Sequence, residues 1–203
     1  TCIWVQGAIW RGNSDYQSWG HGIAVTSTEE IYFTGEFRED LIIDNQSITS
    51  IASSDGFVAK LHANGSLDWI TQLRGNSAVE VRKIVLDDSG TAYIVGHFAG
   101  NIQVSGSNTQ LNSVGSNDIF VTAISNSGNF QWIRSIGSAG ADAGKGIAID
   151  SDGFLFVVGE YQSAISVGDG YVGVTLIPRR PGRRGGLDHF GIEVEDFDLA
   201  CSR

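Results

Sequence analysis

"DDSGTAYIVGHF" occupies residues 87–98, and two other stretches follow the same plan: "TSTEEIYFTGEF" at 26–37 and "DSDGFLFVVGEY" at 150–161. Gly35, Gly96 and Gly159 align, as do Phe37, Phe98 and Tyr161. The run just before each phrase repeats as well: "GIAV" at 22–25, "KIVL" at 83–86 and "GIAI" at 146–149. Such self-similarity has to be read before local structure, because a repeat architecture copies one supersecondary unit along the chain.

A second block repeats in step with the first. "DGFVAKLHANGSLDWI" (55–70) matches "DIFVTAISNSGNFQWI" (118–133) and pairs Trp69 with Trp132. Trp4, in "CIWVQG", reads as the tail of an earlier copy. The chain therefore holds one repeat tail, two nearly whole repeats and the first half of another, with a period of about 62 residues.

Each repeat spells strands. "IYFTG", "AYIVG" and "LFVVG" are short runs rich in β-branched and aromatic residues, closed by glycine. "GFVAKL", "HANGS" and "LDWITQL" predict a hairpin whose tight turn takes positive φ angles from Asn64-Gly65, with Ser127-Gly128 doing the same in the next copy. Helix signals are almost absent from 1 to 173. About four strands per repeat is the pattern of propeller blades packed face to face around an axis. The small residues of "GIAV" and "GIAI" suit the crowded inner position. The tryptophans suit the gaps between sheets, where an aromatic buries about 150–250 Å². The variable stretches 38–54 and 99–117 predict an extra hairpin or loop at the blade's edge.

Over roughly residues 1–170 the pattern "GIA-D-GxxYVxG-F … D-FVxxx-xGxxxW" resembles the bacterial β-propeller repeats called SBBP repeats. The resemblance implies a fold and an exported or surface-attached bacterial protein, and no activity. The first copy departs from it, with "TSTEE" where the others have "DDSG" and "DSDG". Closed propellers have about 4–8 blades, so the remaining blades are expected outside this chain.

Composition bounds the alternatives. Of 203 residues 41% are apolar and 18% charged, which marks a globular chain. Glycine is abundant, at 27 residues, and proline occurs twice, so turns outnumber flexible linkers. Net charge is −10, and residues 1–173 carry 8 basic against 18 acidic groups. That excess repels nucleic-acid phosphates and anionic membranes. No apolar run is long enough for a membrane span. Methionine is absent and "TCIWVQG" has no apolar signal core, which predicts an internal piece of a longer protein. Cys2 and Cys201 read as two unrelated thiols.

After "YVGVTLIP" the repeat stops. "RRPGRRGG" reads as a basic Pro/Gly linker (174–187), "DHFGIEV" (188–194) as a strand, and "FDLACSR" as a helix start capped by Asp196. Residues 186–203 resemble the opening of a vicinal-oxygen-chelate module, of the glyoxalase and dioxygenase type, whose truncated strand–helix start would occupy 188–203. That resemblance implies His189 as a ligand of a divalent metal, and the other ligands are absent from the chain. Two origins stay open for this tail: a two-domain protein, or an artificial join. The mid-repeat break, the missing methionine, the charge shift and the Arg-rich linker favour the join.

Other motifs read as structure. "DDSG" and "DSDG" lack the closing glutamate of a calcium loop and are turn residues. His21, His62 and His97 fall at different places in their repeats and read as surface or satisfied histidines. "GSAGADAGKG" (137–146) has the wrong glycine spacing for a phosphate loop and reads as an inter-blade connection. No nucleophile elbow, Walker loop or dinucleotide fingerprint occurs. The expectation is an all-β, partial β-propeller with a short strand–helix tail. It would be a non-enzymatic, extracellular or cell-surface scaffold, or a module that binds a protein or glycan, with no catalytic residue and no cofactor. The alternative is a metalloenzyme of the vicinal-oxygen-chelate type.

Overall fold

The computed structural model describes residues 18–162 in full, with the backbone of 9–10, 166–167, 172–175 and 188–194. Every regular element among them is a strand. β1 (Ile9–Trp10) is followed by β2 (Trp19–Val25) and β3 (Ile31–Phe37), then by a hairpin of β4 (Asp40–Ile43) and β5 (Gln46–Thr49), then by β6 (Asp55–Leu61) and β7 (Leu67–Gly75). The plan repeats as β8 (Val79–Leu86), β9 (Ala92–Phe98), hairpin β10 (Asn101–Val104) and β11 (Gln110–Asn112), β12 (Asp118–Ile124) and β13 (Phe130–Gly137). A third copy supplies β14 (Ala143–Ile149), β15 (Leu155–Tyr161), β16 (Ser166–Val167), β17 (Val172–Thr175) and β18 (Asp188–Val194).

The strands make antiparallel sheets of the propeller type. Sheet one runs β2-β3-β6-β7 and sheet two β8-β9-β12-β13, each in chain order, whereas in sheet three, β14-β15-β18-β17, the outer strand β17 precedes its neighbour β18 in the chain. The extra hairpins predicted for 38–54 and 99–117 are present, and they do more than decorate an edge. β10 pairs with β7, so the hairpin that interrupts sheet two extends sheet one. β16 likewise pairs with β13, and β4 pairs with β1. Each copy thus stitches itself to the outer edge of the one before, covering backbone groups that an open edge would leave unpaired.

Three apolar layers hold the stack. Tyr32, Val58 and Leu73 of sheet one meet Val81, Ile94, Phe98 and Phe120 of sheet two. Tyr93, Val95, Ile119 and Val121 of sheet two meet Leu155 and Val157 of sheet three. On the far side of sheet one, Leu41 and Ile43 of the hairpin cover Phe57 and Ala59. The tryptophans fill the gaps between sheets: Trp69 stands edge-on to Tyr32 at 5.8 Å, and Trp132 lies 6.1 Å from Tyr93.

Five turns at one end of the stack share one geometry. In residues 26–30, 62–66, 87–91, 125–129 and 150–154 the first N–H donates to the fifth carbonyl and the fourth N–H to the first carbonyl. The fourth residue is left-handed: Glu29 (φ 64°), Gly65 (86°), Gly90 (79°), Gly128 (80°) and Gly153 (89°). This corrects the hairpin expectation. Asn64 and Ser127 do not take positive φ, so each hairpin uses a three-residue loop with a single left-handed position. Asp87 and Asp150 serve their own turns, since Oδ1 of each accepts the N–H four residues on, Thr91 or Phe154, at 2.9 Å. Glu29 alone carries a side chain at the left-handed position. Glu29→Gly is therefore expected to raise unfolding free energy by about 1 kcal/mol in chemical denaturation, the cost of a Cβ in that region.

Candidate functional site

Between sheets one and two, at the turn end, lies an open cleft of about 610 Å³. Asp68, Trp69, Ser89, Asn126, Ser127 and Gln131 help to line it. Asp68 and Gln131 are equivalent. Each is the extra residue of a β-bulge, where pairing steps from Lys60↔Trp69 to Leu61↔Leu67 and from Ala123↔Trp132 to Ile124↔Phe130. A bulge re-aims its side chain out of the strand's alternation.

Turn 125–129 is clamped to sheet one. Trp69 Nε1 donates to the Asn126 carbonyl at 2.9 Å, and Thr71 Oγ1 donates to the Gly128 carbonyl at 3.0 Å. Asn126 Oδ1 accepts from Tyr32 OH at 2.9 Å and from Lys60 Nζ at 2.5 Å. Lys60 is buried and also bridges Glu30 at 2.9 Å and Asp68 at 3.2 Å. Burial alone would lower its pKa, and the hydrogen bonds to Glu30 and Asp68 outweigh that and raise it. Glu30, His62 and Asp68 could each offer one metal-ligand atom within 4.8 Å of the others. The Lys60 ammonium already supplies the cation those carboxylates need, so the set does not fit an added metal ion.

At the opposite end of the inner strands lies a second polar cluster. Pairing of β2 with β3, β8 with β9 and β14 with β15 skips one residue in each copy: His21, Arg82 and Lys145. Opposite these bulges sit Gly35, Gly96 and Gly159, where a Cβ would strike the carbonyl oxygen of Trp19, Glu80 or Ala143. The residue after each glycine is Glu36, His97 or Glu160. His21 Nε2 lies 3.8 Å from Glu36, His97 Nε2 3.3 Å from Glu80, and Lys145 Nζ 3.3 Å from Glu160, while Arg82 pairs with Glu80. Glu36 Oε2, His97 Nδ1, His21 Nε2 and Arg82 Nε are buried and make no hydrogen bond to a described residue.

Burial lowers the pKa of His97; Glu80 opposes this and Arg82 and Lys145 reinforce it. Burial and then Arg82 lower His21. Burial and then Glu80 raise Glu36, against Arg82 and Arg38. The sequence reading placed these histidines apart, and they do occupy different strands. It missed that each position is ionisable in every copy. The signal was present in "GEF", "GHF" and "GEY" at 35–37, 96–98 and 159–161.

His62 is half-exposed in its turn, 3.7 Å from Asp68. His189 stands opposite Glu160 in β18, and its side chain lies outside the described residues. The same holds for Trp4, Cys2, Cys201 and the helix expected after Asp196. The backbone register of β18 is informative. Asp188 faces Tyr161 as Asp118 faces Phe98 and Asp55 faces Phe37. "DHF" thus takes the place of "DIF" and "DGF" in the third strand of its sheet.

Four-stranded antiparallel sheets stacked on their inner strands define a repeat module of the β-propeller class. Residues 131–160 match the beta-propeller repeat family named SBBP. No curated protein matches the chain. Among the described residues no helix is long and apolar enough to cross a membrane.

The shifts at the inner cluster give a pH dependence. A histidine lowered in the fold contributes stability above its unfolded pKa near 6.5 and loses it as pH falls. Unfolding free energy should therefore decline between pH 7 and 5, by at most about 1.4 kcal/mol per pH unit for each proton. The double variant His21→Gln/His97→Gln should flatten that decline in denaturation curves taken across the range. Glu36 acts in the opposite sense: raised in the fold, it is least costly below about pH 4.5, and Glu36→Gln should stabilise the protein most at neutral pH.

Proposed function

We propose that the chain is a non-enzymatic module of an exported bacterial β-propeller, serving as a scaffold and binding a protein or glycan. The observation that carries the scaffold reading is the contrast between inner and terminal faces of the stack. Ile84 is 6% exposed against sheet one, whereas its counterpart Ile23 is 69% exposed on sheet one's outer face, beside Val25 at 59%. Tyr32 and Tyr93 are 0% and 8% exposed, whereas their counterpart Phe156 on sheet three is 44% exposed. Each terminal face repeats the chemistry of a face that a neighbouring sheet covers, so each fits a further sheet of the same kind. The polar cleft at the turn end supports ligand binding, and the family match at 131–160 supports the propeller class. The acidic charge argues against nucleic acid as a partner.

The test is association of the chain in sedimentation velocity. The wild-type chain is expected to form larger species as concentration rises. Ile23→Glu/Phe156→Glu is expected to stay monomeric with an unchanged circular dichroism spectrum. A wild-type chain that stays monomeric at all concentrations and binds no hydrophobic dye would overturn the reading.

A further inference from the structure

We infer that the cleft between sheets one and two binds an uncharged oligosaccharide. This rests on the binding reading above and names the ligand class. The lining side chains of Ser89, Ser127, Asn126 and Gln131 are hydroxyls and amides, groups that both donate and accept. A sugar hydroxyl does the same, so neighbouring hydroxyls of one ring can be matched by an amide that offers both roles.

Among the described residues of that lining Asp68 is the one acidic or basic side chain, and Lys60 and His62 lie 3.2 Å and 3.7 Å from its carboxylate. The described lining therefore presents hydrogen-bonding capacity with its one carboxylate already paired. Among the described residues an acidic sugar or phosphate would meet no free cation there, and a cationic peptide no free anion.

Asn126 Oδ1 is fixed by Tyr32 and Lys60 and its carbonyl by Trp69, which leaves Nδ2 free to donate to a ligand. Ser127 is tied to Ser125 at 3.0 Å and to Asn129 at 2.9 Å. The bulge at Gln131 takes its side chain out of the strand's alternation, and Gln131 and Trp69 both line the cleft. Groups held before binding lose little freedom on binding. The volume, about 610 Å³, falls within the range of about 300–1,000 Å³ usual for small-ligand sites.

The experiment is isothermal titration of the full chain with two panels of hexasaccharides. One is neutral (maltohexaose, cellohexaose, mannohexaose and chitohexaose) and the other acidic (hexagalacturonate and a heparin hexasaccharide). At least one neutral sugar is expected to bind, and both Gln131→Ala and the cleft-filling Gln131→Trp should weaken it tenfold or more without moving the melting temperature. Binding confined to the acidic panel, no binding by the neutral panel, or neutral binding indifferent to Gln131→Trp would each overturn the inference. Self-association through the terminal faces is read separately, so a chain that associates yet ignores neutral sugars refutes the sugar assignment and leaves the scaffold reading standing.

Discussion

The structure depends on a close approach between two backbones, repeated in each sheet. The carbonyls of Trp19, Glu80 and Ala143 lean onto Gly35, Gly96 and Gly159, into space that a Cβ would fill. That approach is what an inner-strand bulge requires, since the extra residue must be taken up over one partner residue. The consequences spread from there. His21, Arg82 and Lys145 leave the alternation of their strands, so a charged row lies beside the inner strands while the residues that follow return to the apolar layers. Gly22 lies against the Ile84 backbone and Gly144 against the Gly96 carbonyl, so neighbouring sheets can come close where the strands are most crowded.

A stack built this way needs a second constraint at its periphery, because sheets that touch tightly on the inside diverge outward. The aromatic residues fill that divergence, and the hairpins close it. β10 lies against β7 with Val104 opposite Leu73 and Ile102 opposite Gly75, and both side chains of β10 are fully buried. Asp55 and Asp118 set the entry of the strand that follows each hairpin. Oδ2 of each accepts an N–H four residues earlier, Ile51 or Val114, at 3.0 Å. A hairpin that belongs to one copy and pairs with the sheet before it makes unfolding of one sheet costly for its neighbour.

The architecture was legible because it rests on residues that recur in type. Glycine, aromatic and tryptophan keep their spacing through the copies, and the small inner residues announce their crowding. Three features were not read, each for a physical reason. Glu36 and Glu160 share a position with His97, which breaks the identity between the copies while keeping an ionisable group there. Lys60 replaces the Ala123 of the next copy in an otherwise apolar strand, and its acceptors come from Glu30, Asp68 and Asn126, far apart in sequence. The "DHF" of the tail pairs as the third strand of sheet three, but a longer, arginine-rich connection displaces it from the period. Spacing fails as a guide where a loop changes length, whereas register does not.

The two polar regions divide the work of the fold. At the inner cluster the basic bulge residues each have an acidic neighbour close by, and Glu36 and His97 are 8% and 7% exposed. A ligand there would have to displace the Arg82–Glu80 and Lys145–Glu160 pairs already made, and removing one partner of such a pair is costly. At the turn end Lys60 pairs with Glu30 and Asp68, and the other described side chains that line the cleft are neutral. The same sequence position that stabilises the joint between sheets one and two thus fixes the orientation of the groups beside it. Lys60 has no counterpart in sheet two, where Ala123 takes its place. The copies agree in what packs the stack and differ at this joint, so the difference, not the repeat, gives the cleft its chemistry.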